Sequence, residues 1–319
     1  MAEKEILTVD VVVPVFNEEK AIECFHQQLC QAIDALPYAF HICYVNDGSK
    51  DDTQALLEKI ASADQRVKVI ELSRNFGHQA ALTAGLDCSQ ADMVITIDGD
   101  GQNPPELIPE MIALAQSGYD VVLTQRIEQE ETSDFKRWTS EMFYWLVNRI
   151  GDTPIQPGAA DFRLLKRPVV EALRGMREYH RFLRGMVAWM GFRSVILPFK
   201  PLQRLAGESK YSLRKMFMLA LDAIFSFSLV PLYIGIAVGI FFLVLAMLEA
   251  VYVLSFWITG NTQHLARGWS SLMFILLIVG GSLMVCVGFI GIYVGYIFQE
   301  VKRRPVYIVR QVYENRRGS

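Results

Sequence analysis

Met93-Val94-Ile95-Thr96-Ile97-Asp98-Gly99-Asp100-Gly101-Gln102 runs an apolar strand straight into two carboxylates flanked by glycines. Residues two apart on an extended chain share a face, so Asp98 and Asp100 point the same way if strand geometry persists that far. Unpaired carboxylates beside an apolar strand are costly, and a cation is their natural partner. Hard oxygen ligands at a strand end suit Mg²⁺ or Mn²⁺ better than zinc, and such ions complete their shells with water and phosphates. Taken alone, the stretch reads equally well as an acidic Asp-Gly surface turn. The rest of the chain decides.

Upstream, strand and helix signals alternate. Val11-Val12-Val13-Pro14-Val15 leads into Asn17-Glu18-Glu19 and an amphipathic stretch from Ala21 to Leu36. His41-Ile42-Cys43-Tyr44-Val45 leads into Asn46-Asp47-Gly48-Ser49 and a helix through Ile60. Val67 to Leu72 reads as a third strand, followed by a helix from about Gln79 to Cys88; Met93 to Ile97 is the fourth and Asp120 to Leu123 the fifth. This alternation predicts an α/β, largely parallel sheet with helices on both faces. Ligands bind beyond the carboxyl ends of such strands. Asn17-Glu18, Asn46-Asp47 and Asp98-Asp100 all fall there, three polar clusters on one edge.

The C-terminal part is different in kind. From Leu229 to Ile258 the only charged residue is Glu249, and Ser270 to Phe298 carries none. As helices, both exceed the ~30 Å hydrocarbon core and can cross a bilayer with tilt. Lys302-Arg303-Arg304, Arg310, Arg316 and Arg317 follow the second run, so positive-inside logic places that tail, and with two spans the N-terminal part, in the cytoplasm. No signal peptide is read ahead of the first strand.

The formal net charge of −3 hides a segregation. Residues 1–175 carry 28 acidic and 15 basic side chains, whereas residues 176–217 carry 9 basic and 2 acidic. A basic collar against a membrane suggests anionic headgroups or phosphates; a solvated charged face is the plainer reading. The segment Phe135 to Ile150 reads either as a surface-lying or as a core-facing amphipathic helix, and Tyr211 to Ser228 as an interfacial one. Five cysteines without Cys-x-x-Cys spacing read as reduced packing residues.

Val13-Pro14-Val15-Phe16-Asn17-Glu18, Val45-Asn46-Asp47-Gly48-Ser49, Ser73-Arg74-Asn75-Phe76-Gly77, Asp98-Gly99-Asp100-Gly101-Gln102, Gly158-Ala159-Ala160-Asp161-Phe162-Arg163 and Arg204-Leu205-Ala206-Gly207-Glu208-Ser209-Lys210-Tyr211 occur in that order. In order and spacing they resemble the inverting family 2 glycosyltransferases of GT-A (Rossmann-like) fold. Within these the chain is similar, over essentially its whole length, to the polyprenyl-phosphate glycosyltransferases, which include dolichyl-phosphate mannose synthase and bactoprenol glucosyltransferases.

The resemblance implies that Pro14, Asn17 and Glu18 line a nucleotide pocket and that Asp47 accepts a hydrogen bond from base or ribose. Asp98, Asp100 and Gln102 would hold Mg²⁺ or Mn²⁺ against the donor diphosphate, and Asp161 is the family's catalytic base. A phosphate monoester has a second pKa near 6, so a polyprenyl-phosphate acceptor hardly needs a base, and Asp161 is expected to orient or to stabilise charge. Two anions must meet, so basic groups are needed; Arg204 and Lys210 are the first choices for the acceptor phosphate, Arg126 and Arg181 weaker ones.

The expected organisation is a catalytic domain over residues 1–210, an interfacial helix over 211–228, a transmembrane hairpin over 229–298 and a basic tail over 299–319. The expected activity is transfer of one hexose to polyprenyl phosphate on the cytoplasmic face, with UDP-glucose as first-choice donor and GDP-mannose as runner-up. The resemblance further implies a homo-oligomer, a tetramer; no nucleic-acid partner is expected. A processive synthase is disfavoured because Asp134-Phe135-Lys136-Arg137-Trp138 lacks the Gln of the Gln-x-x-Arg-Trp element. A non-catalytic membrane scaffold is disfavoured by the presence of Asp98, Asp100 and Asp161. No Gly-x-Gly-x-x-Gly follows the first strand, which argues against a dinucleotide-dependent oxidoreductase.

Overall fold

The computed structural model describes residues 6–127, 159–176, 178–179, 181–202, 230–259 and 268–314. The segment Phe135 to Ile150, the expected interfacial helix, Arg204, Lys210 and the side chain of Glu249 lie outside the described residues. The chain forms two compact units, one built on a sheet and one on two long helices.

Eight strands form the sheet: β1 (Thr8–Val15), β2 (Ala39–Asn46), β3 (Val67–Leu72), β4 (Met93–Thr96), β5 (Val121–Arg126), β6 (Ala159–Lys166), β7 (Ser194–Phe199) and β8 (Val309–Glu314). Their order is β7-β5-β6-β4-β1-β2-β3-β8. The pairs β1–β2, β1–β4, β2–β3 and β5–β7 are parallel, whereas β6 runs antiparallel to β4 and β5, and β8 antiparallel to β3. Among the described residues the α-helices of this unit are α1 (Ile22–Ile33), α2 (Thr53–Ala63), α3 (His78–Cys88), α4 (Ile108–Gln116), α5 (Arg167–Gly175) and α6 (Leu183–Trp189).

The valine run of β1 explains why both faces are covered. Val9, Val11, Val13 and Val15 pack with Ile22, Phe25 and Leu29 of α1, Leu57 of α2 and Met111 and Ile112 of α4. Val12 points the other way, against α3, where a Cβ on Gly85 would sit 2.2 Å from its Cγ1. Strands buried on both faces read as continuous apolar runs instead of alternating ones.

Pro14 lies where the ladder ends. The last bond from β4 to β1 runs from Ile97 N–H to the Val12 carbonyl, and Pro14 has no N–H to donate back. β4 therefore stops at Thr96, and Gly99-Asp100 turns. Thus the strand geometry that would have aligned Asp98 with Asp100 does not persist that far. Gly99 faces the packed side, where a Cβ would meet Val15 Cγ1 at 2.9 Å and Val13 Cγ1 at 3.3 Å.

Two features escaped the sequence reading. Asp161, which the sequence placed on no element, lies in strand β6 and is buried. The expected tail returns to the sheet as edge strand β8, with Arg310 paired to Glu71 at 2.8 Å and Tyr307 donating to Asp87 at 3.0 Å. Cys43 is buried as expected of a packing residue, but Cys88 is exposed.

The second unit holds α7 (Val230–Thr259) and α8 (Trp269–Val301), of 30 and 33 residues. They meet where Gly235 opposes Cys286, whose thiol donates to the Gly235 carbonyl at 3.3 Å. Ile236, Ile240, Phe241, Leu283, Ile290 and Ile297 are exposed. Among the described residues one stretch, Ile278–Val301, is long and apolar enough to cross a membrane; the sequence reading expected two.

Candidate active site

The loops at the carboxyl ends of β1, β2, β3 and β4 are linked one to the next. Asn17, at a φ of +53°, donates its N–H to Ser49 Oγ at 2.9 Å, and its side-chain carbonyl accepts from Lys50 N–H at 2.9 Å. Glu18 N–H donates to Thr53 Oγ1 at 2.9 Å. Asp47 then reaches the next loop: Phe76 N–H donates to Oδ1 at 2.7 Å and Gly77 N–H to Oδ2 at 2.9 Å. Burial raises the Asp47 carboxyl above its usual range even though both amides favour the charged form. Gly48, at φ +66°, is forced by contact, because a Cβ there would lie 2.5 Å from the Arg74 carbonyl carbon. In the structure Asp47 thus braces the Ser73–Gly77 loop.

That loop delivers His78, the first residue of α3, to the acidic centre. His78 Nε2 lies 3.5 Å from Asp98 Oδ1 and 3.3 Å from Asp161 Oδ2. Burial alone would lower its pKa, but the hydrogen bond to Asp161 and the Asp98 charge raise it.

The antiparallel course of β6 is what places Asp161 there. Register pairs Thr96 with Arg163, so the beginning of β6 lies beside the end of β4. Thr96 Oγ1 donates to the Asp161 carbonyl oxygen, and the Asp161 carboxylate is gripped by Arg163 from its own strand and by Arg184 from α6. The Arg184 bonds are bidentate, at 3.1 Å and 2.8 Å. Burial opposes ionisation of Asp161, but Arg184, Arg163 and His78 hold it well below the usual carboxylate range. Arg163 is itself 2% exposed, and burial lowers its pKa. Asp161 is therefore a fixed anion and a weak base at neutral pH.

Asp98 is the opposite case. Burial, with the Asp161 and Asp100 charges adding to it and His78 opposing, raises its pKa. Asn103, fully buried, donates to Asp98 Oδ2 at 3.2 Å, while Asp98 Oδ1 is buried with no hydrogen-bond donor on it among the described residues. A carboxylate oxygen left in that state fits a cation ligand. Asp100 accepts from Gln102 N–H at 3.1 Å. The Gln102 side-chain oxygen accepts from Arg126 at 3.3 Å, and Arg126 also reaches Asn103 Oδ1 at 3.5 Å. Asp98, Asp100, Gln102, Arg126 and Asp161 are thus one cluster, and Pro14, Asn17, Glu18 and Asp47 line the adjoining part of the same edge.

His78, Asn103, Arg163 and Arg184 were not singled out from sequence. Arg163 closes the Asp161-Phe162-Arg163 motif and alternates onto the face of Asp161, which was the available signal. The other three carry none that separates them from their neighbours.

A mostly parallel sheet with one inserted antiparallel strand, and an acidic loop beside it, defines a GT-A-like α/β fold. The model of the family described as "Glycosyl transferase family 2" matches residues 10–174, and the chain belongs to that family. It is 40% identical over 309 residues to the uncharacterized glycosyltransferase YkcC of Bacillus subtilis (strain 168), covering 96% of this chain and 95% of the relative. It is 37% identical over 306 residues to the SfII prophage-derived bactoprenol glucosyl transferase of Shigella flexneri, covering 96% and 98%. It is 38% identical over 310 residues to the prophage bactoprenol glucosyl transferase homolog of Escherichia coli (strain K12), covering 96% and 99%.

Proposed function

We propose that this glycosyltransferase moves a single hexose, with inversion, from a nucleotide sugar to the phosphate of a polyprenyl lipid. The observation that carries the reading is the buried acidic centre itself: Asp98, whose Oδ1 has only the His78 ring nitrogen at 3.5 Å beside it among the described residues, and Asp161, held ionised by two arginines. Similarity over nearly the full length to relatives named bactoprenol glucosyl transferases supports the acceptor class and makes UDP-glucose the first-choice donor.

In this reading Asp98 and Asp100, with Gln102, hold Mg²⁺ or Mn²⁺. Such an ion supplies Lewis acidity toward the departing nucleoside diphosphate. Asn103 fixes the Asp98 carboxylate, and Arg126 fixes the Gln102 amide. Pro14, Asn17, Glu18 and Asp47 shape the nucleotide side of the site. The acceptor phosphate, with a second pKa near 6, is already a competent nucleophile at neutral pH. Asp161 therefore works as an oriented negative charge beside the anomeric carbon, where positive character develops. Arg204 and Lys210 neutralise the acceptor phosphate. Helices over 229–298 anchor the enzyme as two spans, with the catalytic part and both termini cytoplasmic, and the protein assembles as a homo-oligomer, a tetramer.

The test is radiolabel transfer by the purified protein from a panel of nucleotide sugars to undecaprenyl phosphate. UDP-glucose is expected to give a lipid-soluble product. Preference for GDP-mannose would replace the donor assignment, and no transfer from any donor would leave the scaffold reading. Lys210→Ala is expected to raise the apparent KM for polyprenyl phosphate more than that for the nucleotide sugar; the reverse ranking would sink its assignment.

A further inference from the structure

At the opposite edge of the sheet, away from the acidic loop, His26 and Cys30 stand one turn apart on α1. Asp64 meets them from the end of α2, just before β3. His26 Nε2 lies 3.6 Å from Cys30 Sγ and 3.9 Å from Asp64 Oδ2, and Cys30 Sγ lies 3.8 Å from the same oxygen. We propose that His26, Cys30 and Asp64 form a second metal site, selective for zinc, that clamps α1 to the end of α2.

Three physical arguments support it. With Zn–S near 2.3 Å and Zn–N and Zn–O near 2.0–2.2 Å, the edges of a tetrahedral site are about 3.3–3.6 Å long. The observed triangle need close only slightly. A thiolate, an imidazole and a carboxylate together suit zinc and disfavour Mg²⁺ or Mn²⁺, the ions that suit the acidic loop. A hydrogen-bonding group already stands on the other ring nitrogen of His26: Tyr44 Oη lies 3.0 Å from Nδ1, leaving Nε2 toward the cluster.

Arg66 is the built-in competitor. Its Nη2 lies 2.8 Å from Asp64 Oδ2 and 3.5 Å from Cys30 Sγ, while Nη1 lies 2.7 Å from Asp34 Oδ1. A zinc ion would take Asp64 Oδ2 and Cys30 from it, and the guanidinium would keep Asp34 and Asp64 Oδ1, where Nε donates at 3.1 Å. Three protein ligands leave a fourth position for water.

The test uses full-length protein in detergent, stripped of metal and titrated with Co²⁺ as the spectroscopic probe. The expected result is a thiolate-to-Co²⁺ charge-transfer band that saturates at one ion per chain and that Zn²⁺ displaces. The band should vanish in Cys30→Ser and in His26→Gln but persist in Cys88→Ser and in Asp98→Asn. Tyr44→Phe should weaken binding roughly 10-fold or more, as loss of an outer partner does. Arg66→Gln should bring the midpoint to lower Co²⁺. Zinc should raise the melting temperature of the unaltered protein and not that of His26→Gln, a readout independent of transferase activity. A folded protein with no thiolate band at saturating Co²⁺, or a band unchanged in Cys30→Ser, would overturn the site.

Discussion

Asp161 shows what a single residue contributes and how its neighbours set it. Its carboxylate is buried and bonded by Arg163, Arg184 and His78, so it cannot take up a proton near neutrality. Asp161→Asn should lower turnover by about 10²–10³-fold, the loss expected for one oriented electrostatic group, and by the same factor at pH 6 and at pH 8. Near-normal turnover at pH 8 with loss at pH 6 would instead make Asp161 a base. The same substitution leaves Arg163 buried beside an uncharged partner and should cost about 3–5 kcal/mol of stability, read from denaturant unfolding. Asp98, Asp100 and Asp161 were legible in the sequence because their type and their place in ordered motifs restrict their chemistry. His78, Asn103 and Arg184 were not, since what they do depends on contacts between segments far apart in the chain. Arg184 looks, in sequence, like any member of the basic stretch over 176–217.

At the scale of elements, close approach and edge pairing decide what can be changed. Gly85 lets α3 lie on β1, and Gly85→Ala should destabilise by about 1–3 kcal/mol because its methyl meets Val12. Removing the opposing bulk in the double variant Val12→Ala, Gly85→Ala should restore part of that loss. Asp10 of β1 and His41 of β2 are register partners, 3.1 Å apart. The hydrogen bond to Asp10 raises the His41 pKa above 6.5, so its contribution is complete below that value and fades as pH rises through the folded-state pKa. The melting temperature of the unaltered protein should exceed that of Asp10→Asn near pH 6, and the difference should shrink by about pH 8.5. His41 is exposed, so the effect is small. The first four parallel strands were legible from apolar runs ending in polar clusters. Edge strand β8 was not, because Val309–Glu314 carries Arg310, Gln311 and Glu314, the charged pattern that also blunts an edge. Deleting residues 309–319 should uncover β3 and make the protein aggregate, which light scattering would record.

Over the whole molecule, charge and apolarity are segregated along the chain. The first half is acidic and carries the Asp98–Asp100 cluster, the stretch over 176–217 is basic, and the two long C-terminal runs are apolar; in the proposed function these parts are the donor site, the positive charge for the acceptor and the anchor. This segregation was legible because composition changes abruptly at 176, 218 and 302, without reference to any contact. Which donor the site takes was not legible, because a base or sugar is chosen by a few atoms of pocket shape. The proposed reaction places one hexose on a lipid phosphate at a metal-dependent site. Its most direct test is mass analysis of the lipid product formed from undecaprenyl phosphate and UDP-glucose, with and without EDTA, by the unaltered protein and by Asp98→Asn. A product with a single added hexose is expected. It should be absent with EDTA, restored by excess Mg²⁺ or Mn²⁺, and absent from Asp98→Asn under all conditions. A product carrying several hexoses, or one whose formation is indifferent to EDTA and to Asp98, would contradict it.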